Sequence, residues 1–232
     1  MDRSLVVITG AAGALGRAVA SHFLSRGCSV VLVDRDDTAL KTAYANVDGD
    51  RTFVATDLTD TVATRDALSA VFADKGAADV LCNIAGGFSM GKPVDDADPS
   101  DWQRMLDMNV NTLLNACRAV VPGMREAGTG KVINIAAASA SSGKAMMGAY
   151  CASKDAVARL TESMALELRE HGINVNAVAP SILDTPANRN AMPDADPAKW
   201  VSTEQLSAVI GFLASGDASA IHGAVIPVVG LS

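Results

Sequence analysis

The chain has 232 residues, is 49% hydrophobic and 19% charged, and carries a formal net charge of −7. That length suits one domain with a sizeable core. An acidic balance with no basic stripe argues against nucleic acid and anionic membranes as partners, and no apolar run approaches the ~20 residues of a membrane span.

Leu5 to Thr9 is a short apolar run, the pattern of a strand buried on both faces. Gly10 follows at once. Leu15 to Arg26 then reads as a helix, with Leu15, Val19, His22, Phe23 and Arg26 at helical spacing and Gly27 as the stop. The turn between them is Thr9-Gly10-Ala11-Ala12-Gly13-Ala14-Leu15-Gly16. Gly10 permits a tight bend. The small residues after it let backbone N–H groups at a helix N-terminus approach a phosphate. Strand, glycine turn and helix in that order are the context a dinucleotide-binding fingerprint requires.

The second strand, Ser29 to Val33, ends in Asp34. An acid roughly 20 residues after the glycines suits both ribose hydroxyls of NAD(H) and repels a 2′-phosphate. Arg35 is adjacent and leaves NADP(H) open. Asp34 as an exposed helix cap is the plainer alternative.

Next come a helix near Thr38–Val47, a strand at Arg51–Thr56, a helix near Thr61–Ala73 and a strand at Asp79–Asn83. A long helical stretch spans Pro99 to Arg125, with a break near Asn109. A strand at Lys131–Ile135 precedes the helix that carries Tyr150, which runs to His171 before Gly172. A strand at Ile173–Val178 follows. The Ser202 to Gln205 stretch has capping-box spacing at the start of another helix, and the last strand lies near Ala224–Val229. Strands and helices alternate in βαβ order. This predicts one α/β domain over 1–232, a Rossmann-type doubly wound parallel sheet of seven strands. Its cofactor half spans about 1–135 and its catalytic and substrate half about 136–232. The Ala179–Trp200 segment reads as one long irregular loop, a lid or binding loop.

Tyr150 and Lys154 lie at i and i+4 and share a helix face. A phenol titrates near ~10 in water, and a neighbouring ammonium lowers that value. Such a phenol is a candidate general acid and base. Ligands in these folds lie beyond the carboxyl ends of the strands, where Asp57, Asn83 to Gly87, Ala136 to Met147 and Pro180 fall. Cys28, Cys82, Cys117 and Cys151 have no metal or disulfide spacing, and the three histidines are isolated, so no metal is expected. His22 and His171 read as helix-surface residues. No signal peptide precedes the first strand, and the chain reads as reduced and cytoplasmic.

Taken together, these residues resemble the short-chain dehydrogenase/reductase family over essentially the whole chain. Thr9, Gly10 and Gly16 resemble its cofactor turn, which Ala12, Gly13, Ala14 and Leu15 complete. Asp57 and Leu58 resemble its adenine contact, and Asn83, Ala85 and Gly86 its strand-four motif. The resemblance implies that Tyr150 is the acid and base. It implies that Lys154 holds the nicotinamide ribose and lowers the tyrosine pKa, and that Asn109 positions a water behind Lys154. Pro180, Ser181, Ile182 and Thr185 correspond to the segment that holds the nicotinamide amide.

Three positions depart from the family pattern. Ala14 stands where the middle turn glycine falls, with Gly13 just before it. Ser181 stands where a glycine is usual. Ala137 occupies the position of the catalytic serine, thirteen residues before Tyr150. A shift of the loop that brings Ser139 forward is the alternative. An alanine there resembles the dihydropteridine reductase branch, and so does the stretch Leu183 to Asp196 followed by Trp200. The expectation is therefore an NAD(H)-linked oxidoreductase for a small cyclic or conjugated, dihydropterin-like substrate. The alternatives are an ordinary ketone/alcohol or 3-oxoacyl reductase, and a retired NAD-binding sensor or scaffold. Phe88, Met147, Met192 and Trp200 are the expected substrate contacts, with Met90 and Met146 nearby, in an apolar, adaptable pocket. Arg189 is either an anion contact or half of a surface ion pair. Val157, Leu160, Met164 and Leu168 on the Tyr150 helix predict a second partner for that helix, in a homodimer or homotetramer.

Overall fold

A strand can bury every side chain only when helices cover both faces of its sheet. Both β1 (Leu5–Thr9) and the eight-residue β6 (Ile173–Pro180) are buried along their whole length. The protein was analysed as a computed structural model that describes residues 4–232; the first three residues of the expected domain lie outside it.

The strands in chain order are β1, β2 (Ser29–Asp34), β3 (Arg51–Ala55), β4 (Val80–Asn83), β5 (Gly130–Ile135), β6 (Ile173–Pro180), β7 (Leu183–Asp184), β8 (Val201–Ser202) and β9 (Val225–Val228). The helices are α1 (Ala14–Leu24), α2 (Asp37–Ala43), α3 (Thr61–Lys75), α4 (Pro99–Leu106), α5 (Thr112–Ala127), α6 (Gly148–Leu168), α7 (Pro186–Ala191) and α8 (Thr203–Leu213). Seven strands form one parallel sheet in the order β3-β2-β1-β4-β5-β6-β9. The expected single-domain Rossmann fold is what the chain adopts.

On one face, Leu68 of α3, Leu113 and Val120 of α5, and Val157 and Leu168 of α6 close over the sheet. On the other, Val19 and Phe23 of α1, Leu40 of α2, and Leu206 and Ile210 of α8 do the same. Each such side chain contributes about 1.5–3 kcal/mol when fully buried. The strand order reverses between β1 and β4, and that switch point opens the crevice in which such folds bind ligands.

Three expectations change. The segment after β6 is not one irregular loop. β6 runs on through Pro180, and the remainder forms the β7–β8 pair, α7 with its Thr185 cap, and a short 3-10 turn at Pro197–Lys199. Two of the prolines that suggested a loop, Pro186 and Pro197, stand at helix starts, where a missing N–H costs nothing. His22 is half-buried rather than on an open helix surface. Its ring sits against α8, where a Cβ on Gly211 would overlap its Nε2, and burial lowers its pKa with Arg26 adding to the effect. The break near Asn109 is a single π-turn, Asp107–Asn111, between α4 and α5. The capping box forms as expected, with Ser202 and Gln205 each accepting the other's backbone N–H.

Candidate active site

Thr9 ends β1 at the switch point. Its Oγ1 accepts the N–H groups of Ile84 and Ala85, each at 3.0 Å, and so ties the glycine turn to the loop after β4. Gly10 has φ 63°, and a Cβ there would lie 2.9 Å from the Ala85 Cα. A Cβ on Gly16 would overlap the Gly10 carbonyl oxygen. Only glycine fits at these two positions. Gly13 caps α1 without a side-chain hydrogen bond, and no acid stands in the first turn. The N–H groups of Ala14, Leu15 and Gly16 therefore have no intrahelical acceptor at the positive end of the helix dipole. This cradle fits a pyrophosphate, and Ala14 in place of a glycine leaves its backbone donors intact.

The Ala11 and Ala12 N–H groups are held from the second strand. Ala11 donates to the Val33 carbonyl at 3.1 Å, and Ala12 to Asp34 Oδ2 at 3.0 Å. Asp34 Oδ1 accepts the Arg35 N–H at 2.8 Å. The helix-capping alternative goes to Asp36, whose side chain accepts the Ala39 N–H. Asp57, past the end of β3, accepts the N–H and hydroxyl of Thr59, which hold its carboxyl below the usual range; Arg35 adds attraction. Leu58 beside it is buried, and its carbonyl accepts from Asn115 at 2.9 Å.

Asn83 and Asn134 lie in register on β4 and β5, and Asn83 Nδ2 donates to Asn134 Oδ1 at 2.9 Å. Asn134 Nδ2 continues to Thr161 Oγ1 on α6 at 2.9 Å. Further along, Asn109 Oδ1 accepts the Gly87 N–H at 2.9 Å. Its Nδ2 donates to the Gly87 carbonyl at 3.1 Å and to Ser153 Oγ at 3.0 Å. The π-turn aims this amide inward, so the Asn109 side chain clamps the strand-four loop to α6. A Cβ on Gly86 would stand 2.7 Å from Asn109 Oδ1 and 3.3 Å from Lys154 Nζ, so Gly86 separates these two polar atoms.

Lys154 is 6% exposed, and its Nζ donates to the Ile135 carbonyl at 2.8 Å. Burial pushes its pKa down to about 8. Burial also pushes the Tyr150 phenol up to about 12, with the neighbouring Cys151 adding to the rise. Both shifts have burial as their largest cause, and the rise at Tyr150 runs opposite to the acidification expected from a neighbouring ammonium. The Phe88 ring covers Tyr150 edge-on, 4.8 Å between centroids.

Ala137 is buried in a small cluster with Ala140 and Cys151, against which Met147 and Tyr150 pack. Ser139 lies in the 3-10 turn that follows, and its carbonyl accepts from Cys151 Sγ at 3.6 Å. On the far side, the Ser181 hydroxyl donates to the Val229 carbonyl at 2.8 Å, and Ile182 accepts the Val201 N–H. Thr185 Oγ1 accepts the Asn188 N–H. Arg189 is settled as an ion pair, with both guanidinium contacts on Asp184 at 2.6 and 2.7 Å.

The family model for short chain dehydrogenases matches residues 4–196. The chain belongs to the short-chain dehydrogenase/reductase family. It is an oxidoreductase, and the scaffold reading falls away. Galactitol 2-dehydrogenase of Rhizobium johnstonii is 34% identical, over 98% of this chain and 94% of its own. Gluconate 5-dehydrogenase of Burkholderia cenocepacia, solved with NADP and tartrate, superposes with a TM-score of 0.91 at 27% identity, covering 99% of this chain and 95% of its own. NAD+-bound xylitol dehydrogenase gives 0.91 at 27%, covering 99% and 98%.

In this short-chain dehydrogenase/reductase, a cavity of about 260 Å³ opens beside the start of α6, with Met147 in its wall. Phe88, Met192 and Trp200, expected there, are not in that wall; Phe88 lies against Tyr150 instead, and Trp200 is buried between the Pro197–Lys199 turn and β8. Their place is taken by Val94 and Trp102, which the sequence did not single out. Both lie some fifty residues upstream of Tyr150, and nothing in their spacing points to it. Asn134 and Ser153 were also passed over. A polar residue inside an otherwise apolar strand was a usable signal for Asn134. A larger cleft of about 730 Å³ lies between α1, α2 and α8; neither its walls nor those of the smaller cavity include Tyr150, Lys154 or Asn109, and only the smaller one adjoins the α6 start that carries Tyr150.

Proposed function

We propose that the enzyme interconverts a secondary alcohol and a ketone on a small molecule, with a nicotinamide dinucleotide as the hydride carrier. One observation carries this reading. Lys154 and Asn109 meet around Gly86, at the switch point beside a glycine cradle and one helical turn from Tyr150. The sugar-alcohol dehydrogenases among its relatives favour this chemistry over the dihydropterin expectation.

Bound nicotinamide supplies or accepts the hydride. Tyr150 gives the substrate oxygen its proton during reduction and removes it during oxidation. Lys154 holds the nicotinamide ribose, and its ammonium favours the phenolate that Tyr150 forms in the reducing direction. Asn109 positions Gly87 and Ser153, and Ser153 Oγ in turn donates to the Tyr150 carbonyl at 2.8 Å. Asp34 receives the adenosine ribose and favours NAD(H) over NADP(H). Asp57, Leu58, Asn83, Ala85 and Gly86 line the rest of the cofactor crevice, and Pro180 to Thr185 holds the nicotinamide end. The exposed Leu166 and the half-buried Leu160 and Met164 on α6 support a homodimer or homotetramer. The buried free thiols of Cys82, Cys117 and Cys151 support a reducing, cytoplasmic location.

A second reading, reduction of a quinonoid dihydropterin-like ring, rests on Ala137. It offers Tyr150 a methyl group where a hydroxyl would hold a carbonyl oxygen. Loss of one such donor typically costs about 10²–10³ in rate. NADH absorbance followed with a ketone panel and with quinonoid dihydropterin separates the readings. Ketone turnover that rises at least tenfold in Ala137→Ser supports the alcohol/ketone reading. Turnover of the dihydropterin alone supports the second.

A further inference from the structure

We infer that the substrate ends in an apolar ring or alkyl group, seated in the cleft between the loop after β4 and the start of α6, and that Val94 and Trp102 select it. The inference rests on the alcohol/ketone reading and names the substrate class within it.

Nine large hydrophobic side chains are exposed among the described residues, and four of them, Phe88, Met90, Val94 and Met146, gather on the two loops that flank Tyr150. Exposed apolar side chains scattered singly need no explanation, but a cluster rimmed by polar residues marks a binding site. The cluster is also concave. Met90, Val94, Trp102, Met146 and Met147 wall the 260 Å³ cavity. Met147 joins the cavity to Tyr150, because both pack on the Ala137–Cys151 cluster.

The walls are built rather than incidental. Met146 has φ 63°, a backbone state that costs a non-glycine residue about 1 kcal/mol or more. It is held there by its carbonyl, which accepts the Gly91 N–H at 3.0 Å and joins the two loops. Gly148 begins α6 where a Cβ would stand 2.6 Å from Val94 Cγ2 and 3.9 Å from Trp102 Cζ2, so the missing side chain lets Val94 close on the helix.

The chemistry of the walls selects the occupant. The acid there, Asp101, is paired with Arg104 at 2.8 Å, and Arg104 also donates to Ser89 Oγ at 3.3 Å. Ser89 and Lys92 are the other polar side chains of the wall; the rest are thioether, indole, branched methyl and alanine. A polyhydroxy chain would exchange its water for these few polar side chains, whereas a carbocycle brings no hydroxyl that needs a partner. Flexible methionines suit rings of differing substitution.

The test is steady-state reduction by NADH of cyclohexanone, 4-methylcyclohexanone and 4-ethylcyclohexanone, against a polyhydroxy ketone such as fructose. The expected result is a KM that falls about fourfold for each added methylene, with kcat nearly constant. Val94→Asn, at a site 63% exposed and so tolerant of change, and Trp102→Ala should both flatten this series. A flat series in the parent enzyme, or fructose preferred tenfold, overturns the inference and leaves the alcohol/ketone reading standing. If no ketone turns over, that reading fails and a binding arm decides the cleft. In Trp200→Phe saturated with NAD+, 4-ethylcyclohexanol should give a saturable change in Trp102 fluorescence that Val94→Asn weakens. No saturable change overturns the inference. A Val94→Asn variant that dissociates an oligomer in sedimentation, with the ketone series unaltered, assigns the cleft to a second copy of the chain and also overturns it.

Discussion

The Phe88 ring stands edge-on to the Tyr150 ring, with centroids 4.8 Å apart and planes at 74°. Phe88 is itself 54% exposed, so its contact with Tyr150 contributes little to the fold. Edge-to-face pairs are worth about 0.5–1.5 kcal/mol beyond area burial. Phe88→Ala should therefore lower kcat/KM by about three- to tenfold, the same energy expressed as a rate, with thermal stability unchanged. Melting curves and initial rates on one preparation check this. A large drop in melting temperature would make Phe88 a structural residue instead.

Lys154 predicts a pH dependence of stability. Burial lowers the pKa of folded Lys154 to about 8, whereas an unburied lysine titrates at 10.5. Between those limits the unfolded state binds more protons, so this group's contribution to stability rises with pH through the window. Below pH 8 the burial penalty is fully present. Lys154→Met removes the penalty and also one hydrogen bond to Ile135. It should match or exceed the parent protein at pH 7, by at most on the order of 2–3 kcal/mol, and the difference should shrink by pH 10. Urea unfolding without cofactor across this range is the measurement. A variant less stable at pH 7, with an unchanged pH profile, would contradict the burial account.

Asp34 separates cofactor choice from turn structure. Its carboxylate holds the Ala12 N–H, which Asp34→Asn can still do through its amide oxygen, but the charge is gone. The variant should keep its melting temperature and narrow the preference for NADH over NADPH by about tenfold, the worth of one lost charge repulsion near the surface. A parent enzyme equally efficient with both cofactors would remove Asp34 from this role and point to Arg35.

The sheet order and the site were legible where one residue type has one use. Gly10 and Gly16 follow a buried strand, and the close approaches to Ala85 and to the Gly10 carbonyl explain why they are glycines. Tyr150 and Lys154 were legible because helical spacing puts them on one face. Their proton affinities were not, because burial is a tertiary property, and it is the largest cause of both shifts. The segment after β6 was misread because prolines mark helix starts as well as loops, as Pro186 does. His22 was misread because its partner, Gly211, lies on a helix nearly two hundred residues away. Val94 and Trp102 reach the α6 start only through the left-handed turn at Met146 and the missing side chain at Gly148, neither of which has a local signature.

The central claim is that Tyr150 moves the proton while the rest of the crevice holds the cofactor. Tyr150→Phe keeps the ring that packs on Phe88 and on the Ala137–Cys151 cluster and removes only the hydroxyl. The decisive measurement is turnover of a ketone substrate by this variant, alongside NADH affinity from fluorescence titration. The account predicts a loss of about 10²–10⁴ in kcat, with NADH affinity within about threefold of the parent. Turnover at the parental rate with NADH affinity intact would contradict it.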